Sequence, residues 1–240
     1  MNKTILIKLS GESLSGGVGH GLDFEYIKKI CMEIKKVHDM GIRIGIVCGG
    51  GNFLRGRDAH EMDRETADYV GMMATIMNSL VLKDMFNQIG CEVYNQSGLY
   101  VSIIDKVDSV KAREELDKGK IIVFGGGTGK PFFSTDTGAS LRAIDIGADM
   151  IIKLTNVDGV YDKDPNKYED AKMYNRISYQ EVLDKKLSVM DMEAIEMCMK
   201  NKIKIVVMNI NTKDGIKRVL QNEDIGTIVS QGIRRIMTLF

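Results

Sequence analysis

The chain has 240 residues, and its 33 basic and 33 acidic side chains cancel to a formal net charge of zero. That balance leaves no global field to attract nucleic acid, and no basic run is interleaved with aromatics, so nucleic-acid binding is excluded as the main task. No apolar stretch approaches the ~20 residues needed to span a bilayer, and the N-terminus lacks a signal-peptide layout, which points to a soluble cytoplasmic protein.

Short β-rich runs alternate with segments of helical period, the pattern of an α/β fold whose mostly parallel central sheet is sandwiched between helices. The predicted strands are residues 4–9, 42–48, 91–95, 120–125, 149–154, 204–208 and 226–229. Between the first two, Asp23 is placed to cap a crossover helix. Ile27, Ile30, Cys31, Ile34 and Val37 share one face of it until Gly41 ends it. The chain carries 16 methionines, and Met62, Met72, Met73, Met77 and Met85 crowd one region at helical spacing, which predicts packing in the core or at a subunit interface. Near the other end, Ser178-Tyr-Gln-Glu181 has capping-box spacing before Val182 and Leu183, and a further helix is predicted over Met190–Lys200. With no internal repeat and no linker, residues 1–230 read as a single domain and 231–240 as a C-terminal extension. The cysteines Cys31, Cys48, Cys91 and Cys198 and the histidines His20, His38 and His60 show no metal-ligand spacing, which disfavours zinc and a disulfide framework.

In open α/β sheets, ligands sit beyond the carboxyl ends of the strands, and here those ends are chemically consistent. The first strand leads into Lys8-Leu-Ser-Gly-Glu-Ser13, the second into Gly49-Gly-Gly-Asn-Phe-Leu-Arg55, the fourth into Gly127-Thr-Gly-Lys-Pro131 and the fifth into Thr155-Asn-Val-Asp158. Glycines let the backbone approach a ligand, and bare amides in such turns bind phosphate oxygens, most strongly where the turn opens a helix. Asp136 is placed to open that helix. Two familiar phosphate motifs fail. Phe124 stands where a P-loop's first glycine belongs and Pro131 follows the lysine, while Leu54 stands where a dinucleotide fingerprint needs its third glycine or alanine.

Six blocks carry a more specific resemblance. They are Lys8-Leu-Ser-Gly-Glu12, Gly49-Gly-Gly-Asn52 with Arg55-Gly56, Asp68 to Thr75, Gly127 to Asp136, Val157-Asp-Gly-Val-Tyr161 and Val189-Met-Asp191. Across residues 3 to 230 the chain resembles the bacterial-type UMP kinases of the amino acid kinase family. The first, second and fifth blocks are shared loosely with relatives that phosphorylate carboxylates or carbamate, whereas the Asp68 and Pro131-Phe-Phe blocks single out the nucleotide-acceptor branch.

The resemblance implies the amino acid kinase fold and transfer of the ATP γ-phosphoryl group to UMP, giving UDP and ADP for pyrimidine nucleotide synthesis. It also implies Mg2+ carried mainly on the ATP phosphates, a homohexamer, and the GTP activation and UTP inhibition common among relatives. Lys8, Asp136 and Asp191 would be catalytic, the lysine bridging phosphoryl oxygens and the carboxylates orienting it or engaging Mg2+. ATP would meet Lys8, Leu9, Ser10, Gly11, Gly51, Arg55, Thr155, Asn156, Tyr161 and Asp164. UMP would meet Gly50, Asp68, Thr128, Gly129, Lys130, Pro131, Phe132, Phe133, Ser134 and Thr135. Asp158 reads either as a site residue or as a turn former, since Asp-Gly favours turns.

The chain departs from the family pattern in three places. Lys130 replaces the usual asparagine of Thr-Gly-Asn-Pro, a charge that would tighten UMP, slow product release or point to solvent. Asn95-Gln-Ser-Gly-Leu-Tyr100, in the region of inter-subunit contacts and the effector site, matches weakly. Residues 231–240 run past the usual end, as an oligomer-packing tail or a disordered end. Two other readings remain open, a carboxylate or carbamate kinase of the same fold and a non-catalytic nucleotide-binding regulatory or storage protein.

Overall fold

The computed structural model describes residues 3–54 and 61–232. In chain order its elements are β1 (Thr4–Leu9), α1 (Phe24–His38), β2 (Arg43–Cys48), α2 (Arg64–Gln88), β3 (Val93–Ser97), β4 (Asp105–Lys106), α3 (Ser109–Asp117), β5 (Ile121–Gly125) and α4 (Thr135–Asp145). They continue with β6 (Met150–Thr155), β7 (Val160–Tyr161), β8 (Met173–Tyr174), β9 (Arg176–Ser178), α5 (Tyr179–Asp184), α6 (Met192–Asn201), β10 (Lys204–Asn209), α7 (Gly215–Leu220) and β11 (Thr227–Ser230). A 3-10 segment, Gly11–Val18, follows β1.

Nine strands form one sheet in the order β4-β3-β5-β2-β1-β6-β10-β11-β9, parallel throughout except where β11 runs against β10. Strand alternation divides its side chains between two cores. Ile5, Ile7 and Leu9 pack with Ile44, Ile46, Ile152 and Leu154 under α1, α2 and α7. Leu6, Val47, Phe124, Ile151 and Val207 pack under α3, α4, α5 and α6 on the other face. Both faces are covered, as strands with near-continuous apolar runs require.

The predicted central strands form within a residue or two of their expected bounds, and the third moves furthest, to Val93–Ser97. Gly90 takes φ +81° and the Cys91 amide donates to Phe86 O at 2.9 Å, so those residues close α2 rather than open a strand. The last long helix begins at Met192 because Asp191 is its cap, accepting from Ala194 N at 2.8 Å. The methionines of α2 divide. Met72 and Met85 are buried, whereas Met73 and Met77 lie exposed beside Tyr69 and Val70, and Met62 just before the helix is exposed as well. Core packing therefore accounts for two of the five.

Candidate functional site

The chain runs from β1 outward to β2 on one side and later resumes with β6 on the other, so the gap between β1 and β6 is the sheet's switch point. Lys8 is the penultimate residue of β1, paired in register with Val47 on β2 and Lys153 on β6, and it lies on the same face as Leu6. Its ammonium meets Asp136 Oδ1 at 2.9 Å, and Lys153 Nζ meets Asp136 Oδ2 at 3.1 Å. One carboxylate thus bridges two lysines from adjacent strands.

Asp136 reaches them because it does not cap α4. Ser134 takes that position, accepting from the amides of Asp136 at 3.0 Å and Thr137 at 3.2 Å, which leaves the Asp136 carboxylate on the first turn, facing the strand ends. Burial pushes the Asp136 carboxyl up, but the charges of Lys8 and Lys153 overcome it and hold it below the ordinary carboxylate range. Burial pulls the Lys153 ammonium below the lysine range, against the opposing pull of Asp136.

Asp191 lies beside this group on other partners. Besides capping α6, it accepts from the Ser134 hydroxyl and from Thr137 Oγ1 at 3.1 and 3.2 Å. Its carboxylate therefore ties the N-terminus of α4 to that of α6.

Two glycine loops cross at the ends of β1 and β2. A Cβ on Gly11 would fall on the Gly51 amide and within 2.7 Å of Gly49 O, so the chain crosses there only as glycine. The β2 loop is fixed from beneath by two buried asparagines. Asn78 donates to Gly49 O and to Asn52 Oδ1, both at 2.8 Å, and Asn52 returns a bond to Asn78 Oδ1 at 3.0 Å. The loop after β5 is held likewise, with the Gly126 amide donating to Thr75 Oγ1 of α2 at 2.8 Å.

These loops and the start of α2 enclose a cavity of about 820 Å3. Gly50, Gly51, Asp68, Lys130, Phe132, Phe133, Ser134, Thr135 and Asp191 from the expected site line it, joined by Glu12 and Arg64. Asp68 accepts from the Phe132 amide at 2.7 Å, holding Phe132 at φ +69°, and Arg64 lies 3.5 Å from Asp68 and 5.8 Å from the centre of the Phe132 ring. Asp68 thus shapes the loop of the cavity wall. Thr128 and Lys130 close their own turn through the Thr128 hydroxyl, and both face an adjoining cavity of about 440 Å3 between α4 and α6.

The residues expected for ATP gather less tightly. Thr155 ends β6 two positions beyond Lys153, and Leu9 turns its side chain into the α1 core, so only its backbone is available at the strand end. Ser10 caps the 3-10 segment and accepts from the Ser13 amide. Asp158 accepts from Asn209 Nδ2 at 2.9 Å, which ties the loop after β6 to the end of β10. Asp164 accepts from the Asn166 amide at 3.0 Å in an exposed turn. Arg55 lies outside the described residues.

Lys153 and Arg64 are absent from the residues expected from sequence, and Glu12 and Thr75 fall within the motif blocks without an assigned contact. For Lys153 a signal existed. Ile-Leu-Ile-Lys8-Leu and Met-Ile-Ile-Lys153-Leu are the same pattern, an apolar run interrupted once by lysine just before its end.

A model of the amino acid kinase family matches residues 3–209. Among solved structures, a UMP kinase from Bacillus anthracis superposes with a TM-score of 0.92 at 33% identity, covering 96% of this chain and 97% of its own. A UMP kinase from Ureaplasma parvum gives 0.90 at 34% identity, covering 96% and 100%. A uridylate kinase from Archaeoglobus fulgidus gives 0.73 at 29%, covering 94% and 99%.

Proposed function

Because the chain belongs to the amino acid kinase family, we propose that it is a UMP kinase, a nucleoside monophosphate kinase that transfers the γ-phosphoryl group of ATP to UMP. The observation that carries this reading is the 820 Å3 cavity formed by the loops after β2 and β5 with the start of α2 and the N-termini of α4 and α6, and walled by the Asp68–Phe132 contact. Its size lies in the range of sites for whole organic ligands and far exceeds what carbamate needs. The whole-length likeness to UMP kinases supports the same acceptor.

In the proposed reaction an oxygen of the UMP phosphate attacks the γ-phosphorus of ATP. A new P–O bond forms, the bond from γ-phosphorus to the bridging oxygen breaks, and that oxygen leaves with ADP. The attacking phosphate has its second pKa near ~6 and is largely ionised at neutral pH, so no general base is needed. Catalysis of this kind rests on alignment and on countering charge spread over the transferred group. Lys8, with three N–H donors at the strand end, is the group for that task, and Asp136 fixes where its ammonium sits. The amide groups of the Gly11 and Gly50–Gly51 crossing supply donors that cost no reorganisation.

Mg2+ belongs to the proposal as an ion carried on the ATP phosphates, where it would neutralise charge. Protein ligation fits poorly, since Asp136 is paired with two lysines and Asp191 with α4 and α6, and the described residues hold no cluster of three or more His, Cys, Asp or Glu side chains. No step is routed through the metal. The proposal extends to a homohexamer, supported by the exposed Tyr69, Val70, Met73 and Met77 on α2, and to GTP activation and UTP inhibition. It extends as well to a cytoplasmic setting, and no helix among the described residues is long and apolar enough to cross a membrane.

The test is ADP release from MgATP with UMP, CMP, dUMP, carbamate, N-acetylglutamate or no acceptor. UMP-dependent turnover, lowered by orders of magnitude in a folded Lys8→Ala variant, is the expected result. Turnover with carbamate or N-acetylglutamate instead refutes the acceptor assignment, and ATP binding without any stimulated release refutes the enzyme.

A further inference from the structure

Lys153 has no part in the reaction as described, yet its setting is unusual. It stands directly across the β1–β6 ladder from Lys8, so two ammonium groups occupy one face of neighbouring central strands. Like charges placed opposite each other repel. The same transverse row contains Phe124, Val47 and Val207, so an apolar side chain at position 153 would continue the core beneath α4 and α6. It would also avoid the desolvation of a cation, a cost that buried ion pairs often fail to recover. Packing gives no reason for lysine here.

The contacts of Lys153 supply one. Its side chain is 18% exposed, and its ammonium lies 3.1 Å from Asp136 Oδ2 and donates to Val189 O at 2.6 Å. The other oxygen of the same carboxylate lies against Lys8. A carboxylate on a helix's first turn can rotate about its terminal torsion, which is broad and roughly two-fold. Held at one oxygen by a buried cation that is itself fixed to the Val189 carbonyl, it can no longer swing, and the direction of the second oxygen is set.

We propose that Lys153 is a positioning residue for phosphoryl transfer, holding Asp136 by one oxygen so that the other fixes the Lys8 ammonium at the strand ends. The inference rests on the kinase reading above. Lys153 acts through Asp136 and contacts neither nucleotide, so its loss falls on turnover rather than on binding.

The test compares Lys153→Met, which keeps the length of the stem, with Lys153→Arg, which keeps the charge. In steady state with MgATP and UMP, Lys153→Met should lower kcat about 10- to 100-fold while both KM values stay within about threefold, and Lys153→Arg should recover part of the loss. In an Asp136→Asn background the same change to methionine should cost less than about threefold, because nothing remains for Lys153 to act through. A crystal structure of Lys153→Met should show the 2.9 Å Lys8–Asp136 pair opened. A kcat within twofold of the parent, equal losses in the two backgrounds, or an unchanged Lys8–Asp136 pair would each overturn the proposal. If the unaltered protein shows no UMP-dependent turnover, the kinase reading falls, and the crystal structure still decides whether Lys153 holds Asp136.

Discussion

Replacing Asn78 with alanine should be among the most damaging changes available outside the cavity wall. Asn78 is fully buried and Asn52 is 2% exposed, and the pair holds Gly49 through the bond from Asn78 to its carbonyl. Alanine would strip a donor from the Gly49 carbonyl and from Asn52 Oδ1, while Asn52 Nδ2 would keep its 2.9 Å bond to Gly21 O. Two buried acceptors would be left unpaired, at about 1–3 kcal/mol each, and the void left by the amide would add to this. A loss of about 3–5 kcal/mol is a large share of a total stability of about 5–15 kcal/mol. At about 2–4 °C per kcal/mol for a chain of this size, the melting temperature should fall by about 10 °C. Urea melts followed by circular dichroism would give the free energy directly, with an unchanged m-value showing that the unfolded reference is the same. The double change Asn52→Leu with Asn78→Leu should cost less than the two single leucine changes added, since it removes donors and acceptors together. A loss below about 1 kcal/mol for Asn78→Ala, or strict additivity of the double change, would refute the account of this pair.

Other changes test the site from different sides. Gly11→Ala forces the crossing loops apart, because its Cβ would fall on the Gly51 amide; kcat/KM for ATP should drop by about 100-fold with a modest change in melting temperature, and an unaltered kcat/KM would remove the crossing from the site. Lys130→Asn removes a cation from the cavity wall and should raise the KM for UMP roughly tenfold at low salt and less at high salt, as measured by initial rates; a KM that does not change at either ionic strength would show the lysine to be merely solvated. Glu115 is held by Lys118, Lys120 and Lys111, which lower its carboxyl to about 2. A depressed folded pKa stabilises the protein above the unfolded value near ~4.3 and loses that contribution as pH falls toward the folded value. Glu115→Gln should therefore lower the melting temperature at pH 7, and the difference from the parent should shrink between about pH 4 and pH 2; a difference independent of pH would contradict the lysine-cluster origin of the shift.

The central strands are legible in the sequence because each is an apolar run that stops at glycine or a polar loop, and burial on both faces writes that pattern directly. Ser178 and Glu181 are equally legible, since both bonds of the predicted capping box form. The strands β4, β7, β8 and β9 span only two or three residues each, and nothing local marks them. For β9 the pairing partner also comes from far along the chain, Ile177 lying against Val229. Asp136 opens α4 as expected, lying in its first turn, and an aspartate there also suits the capping position. Ser134 suits it too, and the choice is made by two lysines on distant strands that claim the carboxylate. Taken alone, Lys153 is not legible as a site residue, because a lysine inside an apolar run carries no mark of the side chain it will face. Only the β1–β6 register shows that it faces Lys8. The role of Asp158 as a tie to Asn209 likewise depends on β6 and β10 being neighbours.

The antiparallel course of β11 has a practical side. Its last residues lie beside the beginning of β10, with Val229 opposite Ile205, and β1 likewise begins on that edge of the sheet. The cavity opens at the other edge, among the loops that follow β2 and β5. The polypeptide therefore enters and leaves the sheet on the side away from the reacting groups. A surface tether attached at Lys3 or Gln231, beside those strand ends, would approach from behind and leave the mouth of the cavity open to solution.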